Sequence, residues 1–144
     1  MSGPEPGQVA PFVKDSTQVV RGDVLDPPSL AEALHKVYTA YYLVHLMSDS
    51  KDFEKKDRRA ATNFADAAKK SGVRRIIYLG GLGDDTDPKL SPHLRSRHEV
   101  GDLLRASGVE TVEFRAGMVV GAGSISYQLM KSLTDRLPVM FCPR

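Results

Sequence analysis

Asp23, His45, the Gly80-Gly81 pair and Arg115 are the residues of this chain whose chemistry could serve a ligand, and each stands at the end of a strand-like stretch. Asp23, with Val24 beside it, offers a carboxylate that either accepts from a ring amino group while Val24 packs on the ring, or caps a local turn. His45, flanked by Val44 and Leu46, either lines a crevice or is a hydrogen-bonded structural histidine. Gly80 and Gly81, followed by Leu82, let a ligand approach backbone closely or simply serve turn geometry. Arg115, followed by Ala116 and Gly117, either holds a carboxylate or phosphate or pairs with a helix acid.

These residues share one property, because strand and helix patterns alternate along the chain and each falls just past a strand. That alternation predicts parallel βαβ units, whose ligands bind outside the carboxyl ends of the strands. Gln18-Val19-Val20 reads as a short strand. Asp26-Pro27 opens a helix carrying Leu30, Ala33, Leu34 and Val37 on one face. Thr39 to Val44 is aromatic and β-branched enough for a buried strand, which makes Tyr41 and Tyr42 core residues, with Tyr78 likewise. A long helix is expected from Phe53 to Ser71, with Gly72 as a left-handed cap. Arg75 to Leu79 is the next strand, and Ser91-Pro92 opens a helix that ends before Gly108. A strand of alternating character around Thr111 to Arg115 follows, then a helix from about Ser126 to Arg136 and a short strand from Val139 to Phe141. Lys55, Lys56, Arg58 and Arg59, interleaved with Glu54 and Asp57, read as a solvated helix face.

Composition narrows the function classes. With 144 residues, 41% apolar and 26% charged, the chain reads as one ordinary globular domain. A net charge of +2 argues against nucleic acid and membrane surfaces as partners. Cys142 is the only cysteine, so an intrachain disulfide is impossible and a reducing cytoplasm is the expected setting. Residues 1–16, rich in Pro and Gly, read as a flexible leader without signal-peptide character, and residues 17–144 as the domain. No stretch approaches the roughly 20 apolar residues of a membrane helix. His93 and His98, five apart, do not predict a metal site.

Val20-Arg21-Gly22-Asp23-Val24, the run from Ala67 to Tyr78, and Leu103 to Gly108 followed by Phe114-Arg115-Ala116-Gly117 together resemble an NmrA-like, atypical short-chain dehydrogenase/reductase of the nucleoside-diphosphate-sugar epimerase-like group. The resemblance implies an α/β fold, a Rossmann-type doubly wound parallel sheet, N-terminally truncated. It also implies NAD or NADP as cofactor, with Asp23 and Val24 near adenine, Val44, His45 and Leu46 near ribose and pyrophosphate, and Gly80, Gly81 and Leu82 near nicotinamide. Two departures stand out. No G-x-G-x-x-G loop occurs, so backbone N–H groups to hold a pyrophosphate are missing and weak or absent cofactor binding is expected. The Tyr-x-x-x-Lys pair of the extended relatives corresponds to His93-Leu94-Arg95-Ser96-Arg97, in which Arg97 can orient a ribose but His93 lacks a phenol and an evident orienting partner.

Three functions follow as expectations. The first is an NAD(P)-binding oxidoreductase acting on a small carbonyl or sugar-linked substrate, with no catalytic residue assigned. The second is a non-catalytic dinucleotide sensor acting through a protein partner, and the third is an inactive truncated member. Loss of the first strands would bare the edge of the Thr39 to Val44 strand, so a homo-oligomer or a protein partner is expected.

Overall fold

The computed structural model describes residues 16–45, 52–117, 119–121 and 124–136. In chain order its elements are α1 (Pro27–Ala33), β1 (Thr39–Tyr42), α2 (Phe53–Lys70), β2 (Arg75–Gly81), α3 (Pro92–Ala106), β3 (Glu110–Ala116) and α4 (Ile125–Arg136). The strands form a parallel sheet in the order β1-β2-β3, with Tyr41 beside Ile77 and Ile77 beside Val112. The fold class is therefore the expected α/β, Rossmann-type one. Leu46 and the Val139 to Phe141 segment lie outside the described residues, as does the leader except Ser16.

Local chemistry sets the element ends. The Ser91 hydroxyl accepts from the Leu94 N–H at 3.3 Å and Pro92 follows at the first helical turn, which starts α3. Gly72 at φ 75° and Gly108 at φ 82° terminate α2 and α3 in the left-handed region open to glycine. Asp26 opens α1 without a side-chain cap, and Pro27 stands at the first helical turn, while the Ser29 hydroxyl donates to the Asp26 carbonyl at 2.8 Å and accepts from the Asp23 N–H at 2.9 Å. Helix α1 ends at Ala33, before the predicted Val37, as the chain turns through Lys36 at φ 59°.

The core lies between the sheet and α1, α2 and α3. Alternation on the strands points Ala40 and Tyr42, then Ile76 and Tyr78, toward the helices, where all four are buried. From α2, Ala61, Phe64 and Ala68 meet them; the Phe64 ring sits 4.8 Å from that of Tyr42, which is 6.0 Å from Tyr78. Leu104 of α3 and Ile76 are fully buried, and each such side chain stabilises the fold by about 1.5–3 kcal/mol.

Four expectations need correction. Gln18-Val19-Val20 is not a strand: Val19 and Val20 are exposed, and no described strand lies beside them to complete a hydrogen-bond ladder. Tyr41 is not core but 65% exposed, because the described helices cover only one face of the sheet and Tyr41 points to the other. β1 ends at Tyr42 rather than Val44, whereas β2 runs on through Gly80 and Gly81, which pair with Arg115 and Ala116. Asp57 is buried, not part of a solvated face, because it sits one helical turn before Ala60 and Ala61 on the core side of α2. The rest of that basic run is exposed, with Arg58 forming a two-bond ion pair to Glu99 at 2.7 and 3.0 Å.

Candidate functional site

The carboxyl ends of β1 and β2 meet the first two turns of α3, and this junction gathers His45, His93 and Arg97. β1 delivers His45 three residues past Tyr42, while α3 carries His93 and Arg97 one turn apart. The two imidazole rings are 4.6 Å apart, edge to face, and Phe53 at the start of α2 lies 6.5 Å from His93. His93 is exposed and His45 and Arg97 are half-buried, so the group opens to solvent on one side.

Arg97 is anchored from two directions. Its Nη2 donates to the Leu79 carbonyl at the end of β2, and its own carbonyl accepts from the Tyr78 hydroxyl at 2.9 Å. Burial pushes the Tyr78 phenol up to about 12, with Arg97 pulling the other way, so the phenol stays protonated and remains a donor. The Arg97 Nε, also buried, has no acceptor among the described residues. Burial, reinforced by the Arg97 charge and by His93, lowers the His45 pKa below its usual 6.5, with Asp57 opposing. His45 is thus held toward its neutral form beside a fixed cation.

The glycines of β2 serve this junction by absence of a side chain. A Cβ on Gly81 would lie 2.6 Å from Leu94 Cδ2 and 3.3 Å from Arg97 Cδ, so α3 could not cross the strand end as closely. A Cβ on Gly80 would fall on the Glu113 carboxylate, whose side chain is only 8% exposed and is held by Arg105 and by Arg115 Nε at 3.2 Å. Close packing by the chain's own side chains accounts for both positions.

The other sequence candidates sit apart from this junction or are already engaged. Arg115 pairs with Glu113 and, at 3.1 Å, with Asp85. The Asp23 carboxylate accepts from the Leu25 N–H at 2.8 Å, and the Asp23 carbonyl accepts from Asp26 N–H, the turn-capping arrangement. Val24 packs against the core and its carbonyl accepts from Asn63 at 2.9 Å. Val44 and Leu82 are exposed; Leu82 N–H donates to the Ala116 carbonyl, and Gly117 lies against the Leu82 side chain.

Sequence reasoning missed three polar groups. The first is the His45 ring as the neighbour of His93, which had no evident partner in the sequence. The second is Asp57, whose carboxylate accepts from the buried Ser96 hydroxyl at 3.1 Å and ties α2 to α3. Its phase with Ala60, Ala61 and Phe64 was the available signal. The third is His98, buried, with Nε2–H donating to the Gly81 carbonyl at 3.0 Å and Nδ1 against the Asp85 carboxylate. With Asp85, His98 also borders a cavity of about 240 Å³ lined by Leu90, Arg95, Glu99 and Asp102.

No curated protein matches the chain. Among solved structures, the triphenylmethane reductase of Citrobacter sp., complexed with NADP(H), superposes with a TM-score of 0.72 at 16% identity over 91% of this chain and 43% of that one. An NADPH-dependent quinone oxidoreductase from Escherichia coli, complexed with NADPH, gives 0.68 at 22% identity, covering 91% of this chain and 41% of the other. A nucleoside-diphosphate-sugar epimerase from Staphylococcus aureus gives 0.63 at 22% identity, covering 88% and 43%. The likeness is one of fold, and this chain spans about two-fifths of the length of each. A family described as NAD(P)H-binding matches residues 5–137, nearly the whole sequence, in keeping with a parallel sheet whose strand ends open onto an arginine and two histidines. The chain belongs to this NAD(P)H-binding family.

Proposed function

We propose that the chain is part of a nicotinamide-dinucleotide-dependent oxidoreductase acting on a small carbonyl or sugar-linked substrate, and that the junction of His45, His93 and Arg97 faces the nicotinamide-ribose end of the cofactor. The carrying observation is Arg97: a permanent cation anchored at the end of β2, with a buried Nε donor that lacks an acceptor. Such a donor fits a ribose hydroxyl oxygen. These residues address the ribose end, and the sequence given holds no G-x-G-x-x-G loop for the pyrophosphate.

When bound, NAD(P)H supplies a hydride. The chain's own residues supply position and a proton: Arg97 orients the ribose, and His93, exposed at the mouth and braced by the neutral His45 ring, exchanges a proton at its imidazole nitrogen. Sensing through a protein partner is the second reading, favoured by the missing Tyr-x-x-x-Lys pair, where His93-Leu94-Arg95-Ser96-Arg97 stands instead.

The test is a titration of the chain with NADPH and with NADH, following the imidazole resonances of His45 and His93. Both should move with a midpoint in the millimolar range, and Arg97→Ala should weaken that midpoint about tenfold, the loss of ~1.4 kcal/mol expected for one hydrogen bond. Resonances that stay still at saturating cofactor, or an Arg97→Ala chain that binds as well as the parent, would overturn the assignment.

A further inference from the structure

Asp85 offers its carboxylate to two nitrogens at once: its Oδ1 faces His98 Nδ1, and its Oδ2 accepts from Arg115 Nη1 at 3.1 Å. The three side chains differ in their surroundings. That of His98 is 7% exposed and that of Arg115 28%, whereas Asp85, on the loop between β2 and α3, is 55% exposed. Both nitrogens are fixed by the frame of the fold. Arg115 stands near the end of β3 with its Nε on the buried Glu113 at 3.2 Å, and His98 Nε2–H donates to the Gly81 carbonyl at the end of β2 at 3.0 Å. Two donors set by strands and helix thus converge on a carboxylate that a surface loop supplies.

We propose that the niche between His98 Nδ1 and Arg115 Nη1 is a subsite for the carboxylate of a small ligand, filled in this structure by the chain's own Asp85. The niche lies at the carboxyl ends of β2 and β3, where an open parallel sheet receives its ligands. His98 follows Arg97 directly on α3, which sets the subsite beside the nicotinamide-ribose end of the proposed cofactor site. On that reading the ligand is a substrate, and its class narrows to a carbonyl compound or sugar that also bears a carboxylate. The subsite itself does not depend on that reading.

A carboxylate suits the niche because its two oxygens meet two separate nitrogens, one each. Glu113, held also by Arg105, already gives Arg115 a buried counter-charge, so Asp85 is not required to neutralise it. An ion pair whose acid stands largely in water adds little to stability, and a ligand carboxylate can replace it at small cost. Space for the rest of the ligand adjoins: the cavity of about 240 Å³ borders both His98 and Asp85. Arg95 lines it as a further cation, while its acids Glu99 and Asp102 are paired with Arg58 and Arg105. The charges around His98 are therefore Asp85 from the loop, Arg115 and Glu113 from β3, and Arg95, Glu99 and Asp102 from α3. Since the Gly81 carbonyl takes the Nε2 proton, an anion at Nδ1 calls for the doubly protonated ring, and its binding strengthens as pH falls.

The experiment is an NMR titration of the full chain with acetate at constant ionic strength and without NAD(P)H, following the His98 ring and the amides of Gly83 to Asp87. Acetate should move both sets of resonances in the parent, as it displaces Asp85. Asp85→Ala empties the niche from an exposed loop position, and acetate should then bind roughly tenfold tighter, more so at pH 6 than at pH 8. Adding Arg115→Gln should abolish that gain, with circular dichroism reporting the fold of each variant. An Asp85→Ala chain that takes acetate no better than the parent, or a gain that survives Arg115→Gln, would overturn the proposal. Inorganic phosphate bound in preference to acetate would overturn the choice of a carboxylate. Where a variant fails to fold the parent decides, since His98 and loop resonances that stay still under acetate also overturn the proposal. No cofactor enters these readouts, so failure here leaves the His45, His93 and Arg97 assignment standing, and failure of that assignment leaves acetate binding at His98 intact.

Discussion

His93 and Arg97 stand one helical turn apart on α3, yet they meet different surroundings. Arg97 is tied to β2 through Leu79 and Tyr78, whereas His93 is open to solvent with His45 edge-on beside it. The consequence at the residue scale is a pH effect with a definite sign. His45 is held below its usual pKa of 6.5, first by burial and then by Arg97 and His93, so the folded chain resists a proton that the unfolded chain accepts. Its contribution is complete above pH 6.5 and is lost as pH falls below that value toward the lowered folded pKa. Unfolding free energies measured at pH 7.5 and pH 5 should therefore converge more in His45→Gln than in the parent. Equal pH slopes for the two chains would show that Arg97 and burial do not act on this ring as described.

Among elements, the decisive contact is α3 crossing the end of β2. Gly81 admits the helix, Leu94 fills the space a side chain would take, and the Tyr78 hydroxyl donates to the Arg97 carbonyl from beneath. That bond is part-buried and made by a protonated phenol, while the carbonyl it serves belongs to a helix interior. Tyr78→Phe should accordingly cost about 0.5–1.5 kcal/mol in denaturant unfolding, with the ring still packed against Tyr42. The same variant should weaken cofactor-induced shifts at His93 by loosening the turn that carries Arg97. A neutral effect on both would separate the hydroxyl from the positioning of α3. The Asp57–Ser96 bond binds α2 to α3 on the same side of the sheet, so the junction rests on two helices rather than one.

For the whole molecule, one face of the sheet is packed and the other meets water. α4 adds to the imbalance, with Ile125, Leu129 and Leu133 at helical spacing and all exposed. If the chain self-associates, as its sequence predicts, folding and association are linked, and the thermal midpoint must rise with protein concentration. Calorimetry over a hundredfold range of concentration checks this, and a midpoint that does not move would argue for a monomer that tolerates the open face. Among the described residues no helix is long and apolar enough to cross a membrane.

Periodicity and end signals in the sequence by themselves determined the parallel βαβ order, the long α2 with Gly72 behind it and the Ser91-Pro92 start of α3, because these follow from contacts within a few residues. The spacing of Arg97 from His93 was likewise legible, as was the absence of a pyrophosphate loop. Only the tertiary structure decided which face of β1 is covered, and so that Tyr42 is core while Tyr41 is not, since alternation says that neighbours point apart and not which side a helix will occupy. It also brought His45 to His93 and Asp57 to Ser96 across 48 and 39 residues of chain, and filled the Gly80 and Gly81 positions with Glu113 and Leu94. Contacts of that separation are set by how layers pack, and no local pattern encodes them.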